Sequence, residues 1–269
     1  MKKRTTGGAA RLRAPRGEAT GDSTATGDAA KPAGPGGAIG AIGATAEGAL
    51  SLTAPVEDYL KAIYGIEQLG EAVATNDIAA KLSIAAASVS GMVRRLAEQG
   101  LLSYERYRGV RLTDAGRRAA LRTIRRHRVI EAYLARALGY PWDRVHEEAE
   151  RLEHAASDEL VDRMAAAVGE PETDPHGHPI PTRDGEIDET RHLTLSDLAT
   201  GERSRVMRVS DEDSELLRYL AKIGIRPGVV VTLAERAPFD GPLTLRVGRA
   251  QCQVGTALAS RVMVEREAD

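Results

Sequence analysis

Apolar residues recur at helical spacing from residue 52 onward. In APVEDYLKAIYGIEQLG, Val56, Leu60 and Ile63 lie three or four positions apart, and Gly70 supplies a stop signal. This pattern predicts one amphipathic helix that buries a single face.

The next segment, TNDIAAKLSIAAASVSGMVRRLAEQG, predicts two short helices joined by a tight turn. The first is expected over 76–82 with Thr75 as its N-cap, and the second over about 86–99. This is the helix-turn-helix arrangement, in which the second helix reads DNA. The alternating residues of LLSYERYRGVRLT then predict a hairpin that turns at Arg108–Gly109, so the whole segment is expected to form a winged helix.

Beyond the hairpin, the periodicity predicts two further helices, a linker and a β-rich end. TIRRHRVIEAYLARALG is expected to form a helix that ends near Gly139, and residues 145–158 form the next one. The turn-forming linker GEPETDPHGHPIPTRDGEID follows. From residue 191, β-branched alternation between PG and DG turns predicts a small barrel of about five strands. The predicted fold class is therefore mainly α with small β parts.

These patterns divide the chain into a tail (1–51), a winged helix-turn-helix domain (52–122), a helical domain with its linker (123–190) and a small barrel (191–269). The tail is rich in Gly, Ala, Thr and Pro. It is expected to be disordered, because it cannot bury enough surface to offset the entropy cost of ordering. Its basic residues would either add non-specific affinity for nucleic acid or serve only as a solubilising tail.

Composition limits the setting of the protein. The chain has 269 residues with a formal net charge of −2, which allows one large or two to three small domains. The single cysteine, Cys252, excludes an intramolecular disulfide and is expected to be a passive thiol in a reducing cytoplasm. No uncharged apolar run approaches the ~18 residues of a membrane span. No apolar segment follows the basic N-terminus either, so no signal peptide is expected.

The charge is unevenly distributed in a way that favours DNA. Between residues 89 and 128 stand eleven arginines against three acidic residues, a local footprint for phosphates. For the arginines beyond Arg117, a solvated helical face is an equal alternative. The predicted reading helix begins with small residues that allow close approach to bases, so backbone contacts and DNA shape are expected to carry much of the affinity. The candidate DNA-binding residues are Ala87, Ser88, Ser90, Arg94, Arg95, Arg106 and Arg108.

A group of His and Glu residues in VHEEAERLEHAASD points to a metal ion. His146, Glu150, Glu153 and His154 fall within roughly a quarter to a third of the helix circumference, beside the apolar stripe. The preceding helix offers two more candidates, His127 and Glu131. Nitrogen and oxygen ligands without sulfur suit Mn²⁺, Fe²⁺, Co²⁺ or Zn²⁺, and the excess of carboxylate favours Mn²⁺. His176 and His178 lie in a Pro-rich loop, where nothing in the sequence fixes their geometry, and are expected to be ordinary loop residues.

Two familiar metalloenzyme motifs fail at named residues. A zinc protease needs a second His where Glu150 stands, and a di-iron bundle needs Glu three positions before each His, where Asp143 and Arg151 stand. A non-enzymatic protein without a small organic substrate is therefore expected. Two alternatives stay open: a metalloenzyme, which turnover assays would reveal, and a metal-independent DNA-binding protein, whose binding a chelator would not change.

Six segments, taken in order, resemble metal-dependent repressors of the diphtheria-toxin-repressor family, in its manganese-sensing branch. The resemblance covers about residues 52–269 and rests on VEDYLKAIYGIE, the helix-turn-helix with SYERYRGVRLTDAG, RRHRVIE, VHEEAERLEH, DPHGHPIP and YLAKIGIRPG. It implies a winged-helix domain, a helical dimerisation and metal-binding domain, and a C-terminal SH3-like barrel. It also implies a homodimer that binds palindromic double-stranded DNA operators when its divalent metal is bound, shutting off metal-uptake genes.

The resemblance further implies two metal sites. The primary site would comprise Asp58, Glu150, Glu153 and His154, and the second site His127, Glu131 and His146. Iron-sensing members typically place Met at position 58 and Cys at position 150. Both positions carry hard oxygen ligands here, which favours Mn²⁺, with Fe²⁺ possible and Co²⁺ or Zn²⁺ as substitutes. An iron-dependent regulator of the same family is the alternative.

Two residues depart from the family pattern. Lys61 stands where manganese sensors without the third domain often have a second Glu, which argues against two closely spaced ions in the primary site. The second site is then expected to borrow a ligand from the barrel, with Asp211, Glu212 or Asp213 as candidates. Gly91 stands where family members commonly offer DNA a longer polar side chain, which removes one expected base contact.

Overall fold

The computed structural model describes residues 52–70, 73–105 and 109–267, with the side chain of Glu105 left out. The predicted disordered tail over 1–51 lies outside the described residues, as do Arg106 and Arg108. Among the helices of the described part, none has the length and apolar character needed to cross a bilayer.

The N-terminal part forms the predicted winged helix. Three helices are followed by a two-stranded antiparallel hairpin, and the apolar faces of the helices meet in one core with the inner side of the hairpin. Their bounds are α1 Ala54–Gln68, α2 Thr75–Lys81, α3 Ala86–Glu98, β1 Leu102–Glu105 and β2 Gly109–Leu112.

The prediction of Thr75 as the N-cap of α2 is wrong by one residue. Ala74 has the extended backbone of a cap residue, and Thr75 is the first residue of the helix. The Ala74 backbone N–H donates to the carboxylate of Asp77 at 3.0 Å, which satisfies one of the unpaired groups at the helix start.

A long helix, α4 Asp114–Leu138, connects the winged helix to the helical part of the chain. It begins where the Thr113 hydroxyl accepts a hydrogen bond from the Gly116 N–H at 3.1 Å, and it ends at Gly139. The helix runs without a break through residues 122 and 123, where the sequence suggests a domain boundary. One face of α4 packs against α1, and its later turns pack against the two following helices. This single helix thus connects the two parts of the chain.

The prediction of one helix over 145–158 is wrong in its second half. Helix α5 spans Val145–Leu152, and α6 spans Asp158–Ala167. The physical reason is an unrecognised start signal: the Ser157 hydroxyl accepts from the Leu160 N–H at 3.2 Å and caps α6. Leu152 is accordingly 42% exposed instead of continuing the buried stripe. Glu153 and His154 lie in the turn that follows α5, which directs them toward α1.

The C-terminal part is an antiparallel sheet with its own apolar core, in agreement with the predicted SH3-like domain. It has six strands where about five are predicted, because the two-residue β3 pairs with the last strand. The strand order is β3-β8-β4-β5-β6-β7. The bounds are β3 Leu193–Thr194, β4 Arg203–Val209, α7 Ser214–Lys222, β5 Val230–Arg236, β6 Leu243–Val247, β7 Ala250–Val254, α8 Thr256–Ala259 and β8 Val262–Arg266.

The loop over 174–178 joins the helical part to the sheet. The backbone carbonyl of His176 accepts from the Val209 N–H at 2.9 Å, at the end of β4. The His176 Nε2 atom lies 2.7 Å from the carbonyl oxygen of Trp142, between α4 and α5. This loop therefore brings two histidines next to the ends of α4, α5 and β4.

Candidate metal centre and nucleic-acid interface

The first group of candidate ligands forms where α1 meets the end of α5. His154 Nε2 lies 2.9 Å from Asp58 Oδ1 and 3.5 Å from Glu153 Oε1. The three residues can offer one ligand atom each within 4.8 Å of one another. Glu153 is fully buried, whereas Asp58 and His154 are partly exposed. We call this group the primary cluster.

Glu150 also lies at the primary cluster, but in an overlapping set. Glu150, Glu153 and His127 can offer one ligand atom each within 4.8 Å of one another. Its carboxylate is 40% exposed, so it reaches the cluster from the solvent side. Glu153 belongs to both groups and so connects the four residues that the resemblance places in the primary site; from here on the primary cluster includes Glu150.

An ion-pair network that sequence analysis missed orients His154. Glu57 Oε2 accepts from His154 Nδ1 at 2.7 Å, and Arg126 donates to Glu57 Oε1 at 2.9 Å. Arg126 also donates to Asp158 at 3.2 Å, which connects α4 to α6. Because the Nδ1–H is held by Glu57, Nε2 faces Asp58 and Glu153. Burial alone would lower the pKa of His154, but the hydrogen bond to Glu57 and the nearby Asp58 raise it.

Lys61, which the resemblance places at the primary site, contacts the primary cluster directly. Its ammonium nitrogen is 2.7 Å from Glu150 Oε1 and 2.7 Å from Glu153 Oε1. Lys61 lies one turn after Asp58 on α1. It thus contacts two of the candidate ligands, Glu150 and Glu153, from the same helix that carries Asp58.

The second group of candidate ligands lies between α4, α5 and the C-terminal domain. Glu131 Oε1 is 3.1 Å from His127 Nε2 and 3.3 Å from His146 Nδ1. Asp211, in the loop after β4, places Oδ2 3.7 Å from His146 Nδ1. These four residues can offer ligand atoms within 4.8 Å of one another, and we call them the second cluster.

The C-terminal domain offers three acidic candidates to the second cluster, and the structure distinguishes among them. Asp211 faces the cluster. Glu212 instead pairs with Lys81 at the end of α2, and Asp213 caps α7 by accepting from the Glu215 N–H at 2.9 Å. The choice depends on the backbone of this loop, because the three residues are chemically similar and adjacent in sequence.

His176 and His178 lie in a loop, as expected, but the structure fixes their geometry through a residue that the sequence analysis passed over. Asp174 Oδ1 accepts from the backbone N–H groups of His176 and His178 at 2.8 and 3.0 Å, which fixes the loop. His176 is fully buried, and both histidines form a group of possible ligands with Asp174 and Asp211. The signal that sequence analysis passed over is Asp174 itself, two and four residues before the histidines.

Two buried atoms in this region have no hydrogen-bond partner among the described residues. They are Glu131 Oε2 and His176 Nδ1, which lie 3.7 Å apart. Buried polar atoms are usually paired, so this arrangement is costly unless another group satisfies both atoms. A divalent cation would do so, and oxygen and nitrogen donors of this kind suit a hard or borderline ion. The residues therefore fit the metal that the resemblance implies.

Neighbouring carboxylates raise the pKa values of His127 and His176. Burial alone would lower the pKa of His127, but hydrogen bonds with Glu131 and Glu153 outweigh it and raise the pKa to about 10. Burial likewise opposes the effect of Glu131 on His176, whose pKa is raised to about 9. The His127 and His146 partners hold the pKa of Glu131 well below its usual value despite its burial. Metal binding at these residues must therefore release protons.

The winged helix presents the predicted DNA-contacting face of α3. The side chains of Ala87, Ser88, Ser90 and Arg94 are exposed on this helix, and Arg95 is partly buried. Four of the five are thus accessible, and their contact with DNA stays a prediction.

Several arginines from position 117 onward have partners inside the protein. Arg125 contacts Asp162 at 3.1 Å, and Arg126 contacts Glu57, while Arg117 donates to Glu189 at 2.7 Å. These arginines therefore serve in part to hold α1, α4 and α6 together, and the exposed basic surface is smaller than the count of arginines suggests.

Three family models match the chain in succession. The iron dependent repressor N-terminal DNA binding domain matches residues 51–110, and the iron dependent repressor metal binding and dimerisation domain matches 113–182. The FeoA domain matches residues 193–266.

The chain matches named relatives over nearly the whole length of those proteins. The iron-dependent repressor IdeR of Mycobacterium tuberculosis is 31% identical over 227 residues, which is 80% of this chain and 98% of that protein. The diphtheria toxin repressor of Corynebacterium diphtheriae is 28% identical over 227 residues, with the same shares of both chains covered.

Solved structures resemble the whole described chain. One described as a manganese-dependent transcriptional repressor in complex with manganese has a TM-score of 0.74 and 39% identity, covering 79% of this chain and 100% of that one. The manganese regulator SloR has a TM-score of 0.67 and 35% identity, covering 79% and 98%. Fold, domain order and sequence thus agree, and the chain belongs to the iron-dependent repressor family that includes the diphtheria toxin repressor: it is a metal-dependent, DNA-binding transcriptional repressor with a dimerisation domain, and not an enzyme.

Proposed function

We propose that this repressor responds to Mn²⁺ and that the primary cluster is its sensing site. The observation that carries the proposal is the contact of Asp58 on α1 with His154 after α5, at 2.9 Å, beside buried Glu153. The donors are carboxylate oxygens and imidazole nitrogens, which favour Mn²⁺ over softer metals. The similarity to solved structures described as manganese-dependent points in the same direction.

The second cluster supplies a further site in this proposal. Glu131, His127 and His146 come from the helical domain, and Asp211 comes from the C-terminal domain. The unpaired Glu131 Oε2 and His176 Nδ1 atoms support a ligand set that extends to the 174–178 loop. A cation held here would join the C-terminal domain to α4 and α5.

The primary cluster can couple metal binding to DNA binding. Bound metal supplies a positive charge that carboxylates from α1 and α5 share. Asp58 ties α1, and with it the winged helix, to the helical dimerisation domain. In a homodimer this restraint sets the separation of the two α3 helices, which must match successive major grooves about 34–36 Å apart. A palindromic operator follows from that symmetry, and the regulated genes are expected to serve metal homeostasis.

The first test is a metal titration of the purified, metal-free protein. Mn²⁺, Fe²⁺ under anaerobic conditions and Zn²⁺ are added at fixed salt, and binding to a library of short DNA duplexes is followed by fluorescence anisotropy. We expect Mn²⁺ to activate sequence-specific binding at a lower free concentration than Fe²⁺. Equal activation by Fe²⁺ would favour an iron-dependent regulator, to which the relatives described as iron-dependent repressors also point. Binding that no metal changes would refute the sensing role.

Two ligand variants test which residues carry the response. Asp58→Ala and His154→Ala are expected to abolish metal-stimulated DNA binding while leaving a folded dimer. Glu159→Ala is a suitable control, because Glu159 is an exposed carboxylate whose one ion pair among the described residues is with Arg163 on the same helix. Metal-stimulated binding that persists in both ligand variants would contradict the assignment of the primary cluster.

A further inference from the structure

Lys61 places a fixed positive charge among the ligands of the primary cluster. The ammonium nitrogen lies 2.7 Å from both Glu150 Oε1 and Glu153 Oε1 and is mostly shielded, with 22% of the side chain exposed. Lys61 therefore already occupies a cation position between two carboxylates of the cluster.

The ammonium and a metal ion must compete for the same oxygen atom. Glu153 Oε1 is the atom that Lys61 contacts, and it is also the oxygen of Glu153 that lies 3.5 Å from His154 Nε2. The other oxygen, Oε2, is directed to His127 Nδ1. Glu153 thus has no oxygen without a partner, and a metal that binds it beside His154 must displace or share the Lys61 contact.

The charge balance leads to the same conclusion. Asp58, Glu150 and Glu153 bring three negative charges when ionised, and Lys61 neutralises one of them. An incoming ion therefore meets one negative charge fewer than the carboxylates alone would offer. A lysine at this distance also repels an incoming cation, because like charges in a partly buried site are poorly screened by solvent.

We propose that Lys61 sets the metal concentration to which the repressor responds, by acting as a built-in competitor for the primary cluster. This inference rests on the proposed sensing role of that cluster. When the metal concentration is low, the ammonium stabilises the buried Glu153 carboxylate and holds α1 to α5. When metal binds, the lysine gives up or shares this contact, so the affinity for metal is lower than the carboxylates alone would provide.

A purely structural ion pair makes a different prediction. If Lys61 only holds α1 and α5 together, its removal loosens the site and weakens metal binding. If Lys61 competes with metal, its removal strengthens metal binding, although the metal-free protein becomes less stable because Glu153 loses its counter-charge. The sign of the change in metal affinity therefore separates the two roles.

The experiment compares wild type with Lys61→Met, Lys61→Gln and Lys61→Arg. Gln retains N–H donors without the charge, which guards against failure of the Met variant to fold, and Arg keeps the charge. Lys222→Met is the matched control, because Lys222 is an exposed lysine in the last turn of α7 and belongs to neither cluster. Binding of Mn²⁺ is measured by calorimetry with a competing chelator, and the melting temperature of each metal-free protein is recorded.

We expect the neutral variants to bind Mn²⁺ at the primary cluster roughly tenfold more tightly, a change of the size that neighbours of metal ligands commonly produce. The metal-free Met and Gln variants should melt at a lower temperature than wild type. The Arg variant should retain wild-type affinity within a few fold, and the control should change neither quantity.

Unchanged or weaker Mn²⁺ binding in both neutral variants would overturn the proposal. Failure of the sensing role itself has a different signature, since the His154→Ala protein would then bind Mn²⁺ as tightly as wild type. The two ideas can therefore fail separately.

Discussion

Replacing Gly177 with Ala should damage the second cluster while sparing the primary one. Gly177 lies between His176 and His178 with a φ of 89°, a conformation that costs an L-residue roughly 1–2 kcal/mol. A Cβ atom there would also lie 2.0 Å from the carbonyl oxygen of Met207. Real Cβ contacts are essentially never shorter than 3.0 Å, so the loop and β4 must separate.

Gly169→Ala isolates the first of these effects, the backbone strain. Gly169 has a similar φ of 81°, but an added Cβ would meet nothing within 4 Å among the described residues. It should therefore lose about 1–2 kcal/mol of stability from the backbone alone. Gly177→Ala should lose a further 1–3 kcal/mol or so, the usual range for forcing atoms into a packed region. The difference between the two variants measures the contact of the loop with β4.

Two assays of both variants decide the outcome. Urea denaturation of the metal-free proteins gives the free energy of unfolding, and calorimetry with Mn²⁺ gives the number and affinity of the sites. In Gly177→Ala, His176 and His178 move away from Asp211, so the second site should weaken while the primary site remains. Equal losses of stability in the two variants, or two intact metal sites in Gly177→Ala, would refute this reasoning.

Three further predictions concern the metal site, the response to pH and the DNA interface. Glu57→Ala should weaken Mn²⁺ binding at the primary cluster by roughly 10–100-fold in calorimetry, because His154 loses the acceptor that orients it; retention of wild-type affinity would argue against this positioning role. The hydrogen bond from Arg117 lowers the pKa of Glu189, so this carboxylate stabilises the fold above its ordinary pKa of about 4.5 and loses that effect as the pH falls through the lowered value. Glu189→Gln should therefore reduce the acid-side fall in melting temperature, and an unchanged profile would show that the contact contributes nothing. Arg94→Ala should weaken binding to all duplexes alike and reduce the salt dependence by about one counterion, as expected for a phosphate contact; a loss confined to particular sequences would instead indicate that Arg94 contacts bases.

Local sequence patterns determined much of this protein. Helical spacing and stop signals located α1 and α3 to within about two residues. Periodicity also brought out the ligand candidates on α4 and at the end of α5, because side chains three and four residues apart share a helix face. The break between α5 and α6 was missed, because the helical spacing of the sequence continues past Ser157 even though this residue caps a new helix.

Tertiary structure decided the contacts that complete each cluster. Asp211 rather than Glu212 faces the second cluster, His176 is buried against Trp142, and Lys61 contacts a glutamate 92 positions away in sequence. None of these pairings follows from propensity or spacing, because each depends on how separate elements pack after the chain has folded. The sequence by itself therefore determined most of the elements and the kind of ligands, whereas packing alone decided which charged side chains meet.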